Sequence, residues 1–473
     1  MKEGVLKKAF VDELGFSPTQ SQASLFNRLE DLVRLRNSKE ILIIRGYAGT
    51  GKTTVLAAFV KVLKRNNVNC KLLAPTGRAA QVFSQKSNEE AFTIHKQIYR
   101  RKSKIDISAG LGLRPNFNNN SIFIVDEASM IGDYNAQISQ SMNHRNLLDD
   151  LIEFVYSVSN CTLILMGDDG QLPPVGSSYS PALSKSYMQN NYPGFSISEF
   201  ELNEVLRQAN DSEILKNATL LRNVVWKDYP RFKLVEPSDF LRLNGNDLQD
   251  RLEASFTNHG HEGTIVITRS NKQANRYNQQ IRNRILWYED NLCVGEYLMV
   301  VKNNYFWLGE ESKIGFIANG EIVRIVRIIK RMELHGFEFA RVSVNFVNYK
   351  DQQDVELIIH IESLIVEGPS LSQDRMKELF YSVERDYSHI RTKKKRYEAI
   401  LSDPYFNAIQ VKYAYAVTCH KSQGGQWSDV YIDQGYITKD KLGTDYYRWL
   451  YTALTRATKK VYLVNFTNDY FED

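Results

Sequence analysis

The chain has 473 residues, of which 43% are hydrophobic and 24% charged, and its formal net charge is +5. This composition is typical of a soluble globular protein, and the length predicts two to four structural units at about 150 residues each. No apolar run approaches the roughly 18 residues of a membrane span, and the N-terminal segment lacks the apolar centre of a signal peptide. The four cysteines are far apart and form no C-x-x-C pair, which argues against a zinc site or a disulfide framework and predicts a cytoplasmic protein.

The first 210 residues alternate apolar strands with amphipathic helices. The predicted strands are 41–45, 69–75, 121–128 and 161–168. Strands this apolar are usually covered on both faces, so the pattern predicts an α/β fold built on a parallel sheet. Between 96 and 120 the pattern breaks into a polar, glycine-containing stretch, which fits a small inserted subdomain and a long solvated loop equally well.

The first predicted strand leads into a glycine-rich loop and then into a predicted helix. Glycines let the backbone curl so that successive N–H groups point at phosphate oxygens. Lys52 suits the β- and γ-phosphates, and the Thr53 hydroxyl suits Mg²⁺. The sequence therefore predicts a nucleotide site that follows the pattern G-x-x-x-x-G-K-[ST], with contacts from Gly46, Gly49, Thr50, Gly51, Lys52, Thr53 and Thr54.

Two further predicted strands deliver polar residues to what should be the same edge of the sheet. Asp126 and Glu127 follow the third strand, where one acid can hold Mg²⁺ and its neighbour can polarise the attacking water. Asp126 suits the first role and Glu127 the second, with a helix N-cap as the alternative. Gln171 follows the fourth strand in GDDGQLPPVG and could sense the γ-phosphate; the alternative is a proline-stiffened turn.

A second α/β unit is predicted after Arg207, and it is interrupted. Residues 294–367 are dense in short β-type runs, with Asn319-Gly320 and His335-Gly336 where hairpin turns would fall, so they predict an inserted β-barrel. Residues 370–402 are highly charged with helical spacing and fit either a solvated helical hairpin or a DNA-facing arm. The α/β pattern resumes at AIQVKYAYAVT and VYLVNF.

Eight ordered segments resemble the motifs of superfamily 1 DNA helicases, in particular of the 5′-to-3′ group that contains RecD and Dda. The resemblance covers nearly the whole chain. In the order of motifs I, Ia, Ib, II, III, IV, V and VI, the segments are Gly46–Thr53, APTGRAA (74–80), TIH (93–95), IVDEASM (124–130), GDDGQLPPVG (167–176), LNEVLRQ (202–208), AVTCHKSQGGQW (416–427) and YTALTRA (451–457).

This resemblance implies two RecA-like P-loop domains with parallel sheets, ATP between them, and single-stranded DNA across both. The first motor domain would be 1–210, with an inserted wedge at 96–120. The second would join 211–293 to 404–473. Residues 294–403 would form an inserted SH3-like β-barrel with a helical arm.

The resemblance also implies roles for particular residues at the ATP site. Gln22 is the expected adenine contact, with Gln20 as the alternative, because a glutamine amide can pair with the N6 and N7 edge of adenine. Gln426 stands where the family often has a glutamate, so it would contact the ribose through an amide. Arg207 and Arg456 would be arginine fingers, which makes the expected catalytic set Lys52, Glu127, Gln171, Arg207 and Arg456.

Short polar and basic groups at predicted strand ends suit the phosphate oxygens of a single strand, which carry affinity without sequence information. Tyr415 and Trp427 could stack bases or pack in the core, and packing is favoured. The expected DNA contacts, taken from motifs Ia, Ib and V, are Thr76, Arg78, His95, Thr418, His420, Lys421 and Ser422.

The sequence thus predicts an ATP-dependent, Mg²⁺-using DNA helicase that moves 5′ to 3′ on single-stranded DNA and acts at junctions of single- and double-stranded DNA, as a monomer. One alternative is an RNA or RNA–DNA helicase. Another is a translocase subunit that cannot unwind alone, and a third is a regulatory ATPase whose basic regions bind protein.

Overall fold

The computed structural model of the protein describes most of the chain. Among the described residues, no helix is both long enough and apolar enough to cross a lipid bilayer. The described residues are 5–35, 39–101, 111–133, 146–204, 212–223, 228–235, 238–308, 312, 315–349 and 352–472.

The N-terminal part of the chain folds around a six-stranded parallel sheet in the order β3-β2-β6-β7-β1-β8. The strands up to residue 202 are β1 (Glu40–Gly46), β2 (Cys70–Ala74), β3 (Ala91–Thr93), β4 (Tyr99–Arg101), β5 (Leu111–Leu113), β6 (Ile122–Val125), β7 (Thr162–Gly167) and β8 (Ser196–Leu202). The helices are α1 (Val5–Leu14), α2 (Gln20–Leu35), α3 (Lys52–Arg65), α4 (Gly77–Ser87), α5 (Ile94–Ile98), α6 (Leu147–Tyr156) and α7 (Lys185–Asn191).

The apolar runs of this sheet are explained by burial on both of its faces. Leu42 and Ile44 of β1 pack in one hydrophobic cluster. Ile41 and Ile43 pack in a second cluster. Because alternate side chains of a strand point to opposite faces, a strand covered on both sides must be apolar at every position.

The predicted insertion at 96–120 contains a two-stranded antiparallel ribbon. Its strands β4 and β5 pair Tyr99 with Leu113. Residues 102–110, which join these strands, lie outside the described residues. The part that is described is therefore a ribbon and not an open loop.

The rest of the chain holds a second parallel sheet, a closed barrel and a helical arm. The strands are β9 (Phe240–Leu243), β10 (Thr264–Thr268), β11 (Tyr297–Val300), β12 (Ile322–Leu334), β13 (Phe337–Phe346), β14 (Val355–His360), β15 (Ile409–Tyr413), β16 (Ala416–Thr418), β17 (Trp427–Asp433) and β18 (Ala457–Val464). The helices are α8 (Glu213–Asn223), α9 (Leu248–Gly263), α10 (Asn271–Arg284), α11 (Gln373–Asp386), α12 (Lys393–Leu401), α13 (Cys419–Ser422) and α14 (Thr444–Leu454).

The second sheet is parallel and runs in the order β16-β10-β17-β18-β9. Helices α8 and α14 lie against it, and Ile214 of α8 shares a hydrophobic cluster with Leu450 of α14. Both α/β units thus carry parallel sheets, which confirms the predicted fold class.

The barrel is closed by five strands, β11 to β15. Strands β12 and β13 form a hairpin at His335-Gly336, where both residues have positive φ (59° and 73°), as a tight two-residue hairpin turn requires. Gly320, with φ 89°, turns the chain into β12, and its N–H donates to Val300 O. The predicted barrel is confirmed.

Strand β15 corrects the predicted boundary of the insertion at 403. Residues 409–413 were expected to resume the parallel sheet, but they pair with β11 and β14 and close the barrel. The second parallel sheet resumes only at Ala416, whose strand pairs with β10. The sequence of an apolar strand does not reveal which sheet the strand joins, because its pairing partners lie far away in the chain.

The charged segment 370–402 forms a helical hairpin that packs on the barrel. Leu379 and Val383 of α11 and Ile400 of α12 lie in one hydrophobic cluster with Phe337 and Phe339 of β13. The charged residues of α12, which include Lys393–Arg396, are largely exposed. The arm is therefore fixed to the barrel by one apolar face and leaves its basic face open.

Candidate active site and nucleic-acid interface

The glycine-rich loop connects β1 to α3 and has the backbone that its sequence predicts. Gly49 and Gly51 have φ of 82° and 78°, in the left-handed region that other residues rarely adopt. A Cβ on Gly46 would lie 2.9 Å from Thr50 Oγ1 and 3.0 Å from Leu202 Cβ, so a side chain has no room there. The loop therefore curls tightly at the N-terminus of α3, where free N–H groups favour an anion.

Lys52 is the first residue of α3, and its ammonium group stays at the loop. Its Nζ donates to Tyr47 O at 2.9 Å. The same Nζ lies 3.6 Å from Oδ2 of Asp168, a fully buried carboxylate after β7. Lys52 thus lies between the phosphate loop and the end of a neighbouring strand, where its ammonium group can bind a nucleotide phosphate.

Asp126 and Thr53 form a pair of oxygen donors beside the loop. Glu127 N–H donates to Asp126 Oδ1 at 2.9 Å. Burial raises the pKa of Asp126, and the hydrogen bond from Glu127, the charge of Lys52 and the nearby Thr53 side chain oppose that rise. Two hard oxygen donors next to a phosphate site fit Mg²⁺, which is usually held by one or two protein ligands with phosphate oxygens and water.

Glu127 lies next to Asp126 in a conformation that is rare for a glutamate. Its φ is 55° and its ψ 36°, and its Oε2 is buried without a hydrogen-bond partner among the described residues. Burial raises the pKa of Glu127, and the Arg456 guanidinium opposes this rise. Non-glycine residues are held in such strained positions chiefly at functional sites.

Arg456 reaches this site from the second α/β unit. Its Nη1 lies 4.0 Å from Glu127 Oε1, and its side chain is almost fully buried. Its Nε donates to Thr452 O at 3.0 Å and its Nη1 to Gly425 O at 3.4 Å, so the side chain is held in place by its own unit. The other predicted finger, Arg207, lies outside the described residues.

Gln171 lies where the two units meet. Its side chain is 5% exposed, and its Oε1 is buried with no partner among the described residues. The next residue is bound from the second unit on both sides: Leu172 N–H donates to Thr452 Oγ1 at 2.8 Å, and Gln423 Nε2 donates to Leu172 O at 2.7 Å. This loop is therefore hydrogen-bonded directly to motifs V and VI.

Tyr451 links the units as well, and the sequence did not single it out. Ala48 N–H donates to the Tyr451 hydroxyl at 2.8 Å, and that hydroxyl donates to Asp168 Oδ2 at 2.8 Å. One buried side chain thus joins the phosphate loop to the end of β7. A tyrosine inside an apolar helix gives no signal of this kind in the sequence, because packing accounts for it equally well.

The expected base contact is buried, whereas the expected sugar contact is exposed. Gln22 is fully buried, and its amide is used within the protein: Nε2 donates to Thr50 O at 3.0 Å, and Oε1 accepts from Thr19 N–H at 3.1 Å. Adenine recognition by Gln22 requires these bonds to open, whereas Gln20 is exposed. Gln426 is also exposed, and its backbone carbonyl oxygen accepts a hydrogen bond from Arg78 Nη2 at 3.1 Å.

Motif Ia meets motif V at the predicted DNA groove. Thr76 caps α4, because its hydroxyl accepts from Ala79 N–H at 3.2 Å. A Cβ on Gly424 would lie 3.0 Å from Thr76 Oγ1, so the two segments touch. The Arg78 guanidinium lies 3.9 Å over the Trp427 ring. Arg78 is therefore engaged across the groove, and Trp427 is a buried packing residue.

Four further predicted DNA contacts belong to the segment around α13. Thr418 is half-buried and His420 exposed. Burial lowers the pKa of Lys421 to about 8, which leaves it largely charged at neutral pH. Ser422 is fully buried, and its hydroxyl donates to Cys419 O at 2.7 Å. The first three side chains can reach a phosphate, but Ser422 is turned inward and cannot; the motif pattern alone did not reveal this.

His95 lies apart from these residues, against the barrel. Its ring centroid is 5.6 Å from that of Tyr99 and 6.5 Å from that of Phe316. Burial lowers the pKa of His95 to about 4, so the imidazole is neutral at physiological pH. It can offer an N–H to a phosphate but no charge. Tyr415, in contrast, is buried, and its hydroxyl accepts from Tyr297 N–H at 3.2 Å.

Two known families match separate parts of this chain. Residues 17–224 match the AAA domain, and residues 413–464 match the UvrD-like helicase C-terminal domain. Together they span more than half of the chain and contain the phosphate loop, Glu127 and Arg456. The chain belongs to the superfamily 1 helicases. The barrel of this superfamily 1 protein lies between the two matched segments.

Individual relatives align along most of this superfamily 1 protein at low identity. An uncharacterised protein of Acanthamoeba polyphaga mimivirus is 24% identical over 92% of this chain and 97% of its own length. The ATP-dependent DNA helicase Dda of Enterobacteria phage T4 is 26% identical over 65% of this chain and 67% of its own. Among solved structures, Pif1 helicase from Bacteroides in complex with ADP-AlF3 and ssDNA covers 97% of this chain and 95% of that one, with 16% identity and a TM-score of 0.47.

Proposed function

We propose that the protein is an ATP-dependent DNA helicase that moves 5′ to 3′ along single-stranded DNA. One observation carries the proposal: Arg456 of the second α/β unit lies 4.0 Å from Glu127 of the first. Phosphoryl transfer needs a residue that orients the attacking water and a cation on the γ-phosphate. Here these groups come from separate units, so hydrolysis depends on how the units are placed relative to each other.

The residues of the site have distinct roles in this proposal. The loop N–H groups and Lys52 bind the β- and γ-phosphates. Thr53 and Asp126 hold Mg²⁺, which neutralises charge on the phosphate oxygens. Glu127 polarises the attacking water, while Arg456 and Arg207 stabilise the charge that develops on the γ-phosphate. Gln171 reports the state of the nucleotide through its loop, and the base and ribose are read by Gln22 or Gln20 and by Gln426.

Movement follows from the difference in ATP affinity between two arrangements of the units. ATP favours the closed arrangement because the arginine fingers reach its terminal phosphate only there, and hydrolysis removes that preference. We assign 1–210, with its ribbon at 96–120, to the first motor domain, and 211–293 with 414–473 to the second. Residues 294–413 form the barrel and the arm.

The proposed track for the single strand runs along motifs Ia, Ib and V. Its phosphate contacts are Thr76, Arg78, His95, Thr418, His420 and Lys421. The choice of DNA rests on likeness to Dda and Pif1, which are named as ATP-dependent DNA helicases. The 5′-to-3′ direction and action at junctions rest on the resemblance of the motifs to those of the 5′-to-3′ group. We further propose that one chain acts as a monomer in the cytoplasm.

The proposal is tested by ATP hydrolysis with and without single-stranded oligonucleotides of DNA or RNA. DNA is expected to raise the rate at least about tenfold, and RNA of the same length is expected to raise it less. The Lys52→Ala variant is expected to fold and to hydrolyse no ATP, because it lacks the positive charge that binds the β- and γ-phosphates. Stimulation by RNA alone favours the RNA helicase instead, and no stimulation by either strand contradicts a nucleic-acid motor.

A further inference from the structure

Arg222, at the end of α8, lies over the phosphate loop although it belongs to the second α/β unit. Its guanidinium carbon is 3.7 Å from the ring centroid of Tyr47, the residue that follows Gly46. Helix α8 is anchored in the second unit, because Ala218 and Leu221 pack in the same cluster as Leu450 of α14. Arg222 therefore crosses from one motor domain to the other.

Two of the three guanidinium nitrogens of Arg222 are unsatisfied among the residues that the structure describes. Its Nε and Nη1 are closed to solvent and have no hydrogen-bond partner in the described part of the chain. Burying the N–H groups of a cation without a partner is unfavourable, so such a group is expected where an anion arrives later. Stacking on Tyr47 holds the planar group in place but satisfies none of these donors.

The nearby carboxylates are already occupied or open to water. Asp168 accepts from Gly170 N–H at 3.0 Å and from the Tyr451 hydroxyl at 2.8 Å. Asp169 pairs with Arg45 at 3.0 Å. Glu201 is exposed. No ion pair joins any of these carboxylates to Arg222, so the missing anion has to come from outside the described residues.

The position of Arg222 identifies that anion. The ring of Tyr47 lies under the Arg222 guanidinium, and the backbone carbonyl oxygen of Tyr47 accepts a hydrogen bond from the Lys52 ammonium. Lys52 is the proposed ligand of the β- and γ-phosphates. A Cβ on Gly170 would lie 3.3 Å from Tyr451 and 3.6 Å from Tyr47, so both tyrosines line the same end of the loop. Tyr451 comes from the second unit and binds Ala48 of the phosphate loop, so the second unit contacts the loop here as well as contacting Glu127 through Arg456.

We propose that Arg222 is a third arginine ligand of the terminal phosphate of ATP, in addition to Arg207 and Arg456, and that α8 supplies it when the two motor domains close. This inference rests on the proposed function. It predicts that Arg222 favours a nucleoside triphosphate over a diphosphate, because only the triphosphate reaches across the loop to it. Arginine suits this role, since its planar group stacks on the ring and still presents N–H donors to phosphate.

The test measures binding of the fluorescent nucleotides mant-AMP-PNP and mant-ADP, with Mg²⁺ and oligo-dT, to the full chain. Arg222→Gln is expected to weaken mant-AMP-PNP binding about 10- to 100-fold, since a charge-assisted hydrogen bond is lost, and to change mant-ADP binding less than about threefold. Arg242→Gln is the matched control, because Arg242 also lies over an aromatic ring, that of Phe471 at 4.7 Å, but on the edge strand β9.

Equal losses for both nucleotides, or no loss for either, overturn the assignment. Arg222→Lys is the second variant if Arg222→Gln does not fold: it keeps the charge, but its single ammonium is expected to reduce the preference for mant-AMP-PNP about threefold. An unchanged preference in Arg222→Lys also overturns the assignment. If the wild-type chain binds neither nucleotide, the proposed function fails; if it binds and hydrolyses ATP, only the role of Arg222 is at stake.

Discussion

Glu127 shows at the scale of one residue how the fold prepares a group for chemistry. A non-glycine residue at φ 55° costs of order 1–3 kcal/mol, and the surrounding structure has to offset that cost. Its carboxylate is also buried, with the opposing charge of Arg456 close by. Strain and burial together fix where the carboxylate points and keep its basicity higher than that of a solvated glutamate.

The pH dependence of ATP hydrolysis should reflect the titration of the Glu127 carboxylate. Glu127 acts only when deprotonated, and burial raises its pKa, so kcat with saturating ATP and DNA should fall at a pH above the ordinary range for glutamate as acid is added. Arg456 lowers this pKa. In Arg456→Gln the acid limb of the kcat profile should therefore move to higher pH, and in Arg456→Lys it should move less.

Glu127→Gln is the control for that profile. The amide cannot accept a proton, so kcat should fall about 10²- to 10⁴-fold while ATP still binds, and the remaining rate should lose its acid limb. An acid limb that persists unchanged in Glu127→Gln would assign the titration to another group.

Residue types in motifs were predictable from the sequence, but their orientations were not. The phosphate loop, Asp126 and Glu127 lie together at one sheet edge because parallel strands end there. Ser422 belongs to the same kind of pattern and yet is turned inward, since its hydroxyl bonds to the preceding turn. Orientation depends on packing partners hundreds of residues away, such as the contact between Tyr451 and Ala48.

At the scale of elements, the barrel was predictable as a unit but its last strand was not. The β-type runs and the turn at His335-Gly336 indicate a meander, because they specify local pairing. Strand β15 returns after the helical arm and pairs with β11, more than a hundred residues earlier. Pairing over such a distance is set by the closed barrel and leaves no local pattern.

The barrel contacts the first motor domain through a buried carboxylate. A Cβ on Gly77, the first residue of α4, would overlap with Glu321 Oε1. Burial raises the pKa of Glu321 to about 7, although Asn348, Tyr349 and Lys96 all oppose this rise. The barrel thus approaches motif Ia at a buried carboxyl group whose pKa is about 7.

Glu321 should make the stability of the protein depend on pH. Its pKa is about 7 in the folded chain, against 4.5 for an ordinary glutamate. The folded state therefore holds the proton longer, and the free energy of unfolding should fall by about 3 kcal/mol as the pH rises from below 4.5 to above 7. Urea unfolding at pH 5 and pH 8 measures most of this difference, about 2.5 kcal/mol.

The variant Glu321→Gln should reduce the difference between pH 5 and pH 8 by about that amount, because an amide does not titrate in this range. Glu338→Gln removes an exposed carboxylate from the same barrel and should leave the difference unchanged. Equal differences in the wild type and in Glu321→Gln would show that Glu321 is not buried in this way.

At the scale of the whole molecule, one short segment contacts both functional sites. Gln423 binds the loop of motif III on the ATP side, through Leu172 O. Trp427, four residues later, packs under Arg78 of motif Ia on the DNA side. Residues 423–427 therefore connect the proposed ATP and DNA sites through direct contacts, and we expect a change in the separation of the two α/β units to alter both sites.

Unwinding of short DNA duplexes that carry a single-stranded tail on either the 5′ or the 3′ side tests whether this chain alone is a 5′-to-3′ helicase. The wild-type chain should separate the 5′-tailed duplex in the presence of ATP and Mg²⁺ and leave the 3′-tailed duplex intact. Lys52→Ala should separate neither. Unwinding of the 3′-tailed duplex alone would contradict the proposed direction, and ATP hydrolysis without unwinding of either substrate would contradict the proposal that this chain alone is a helicase.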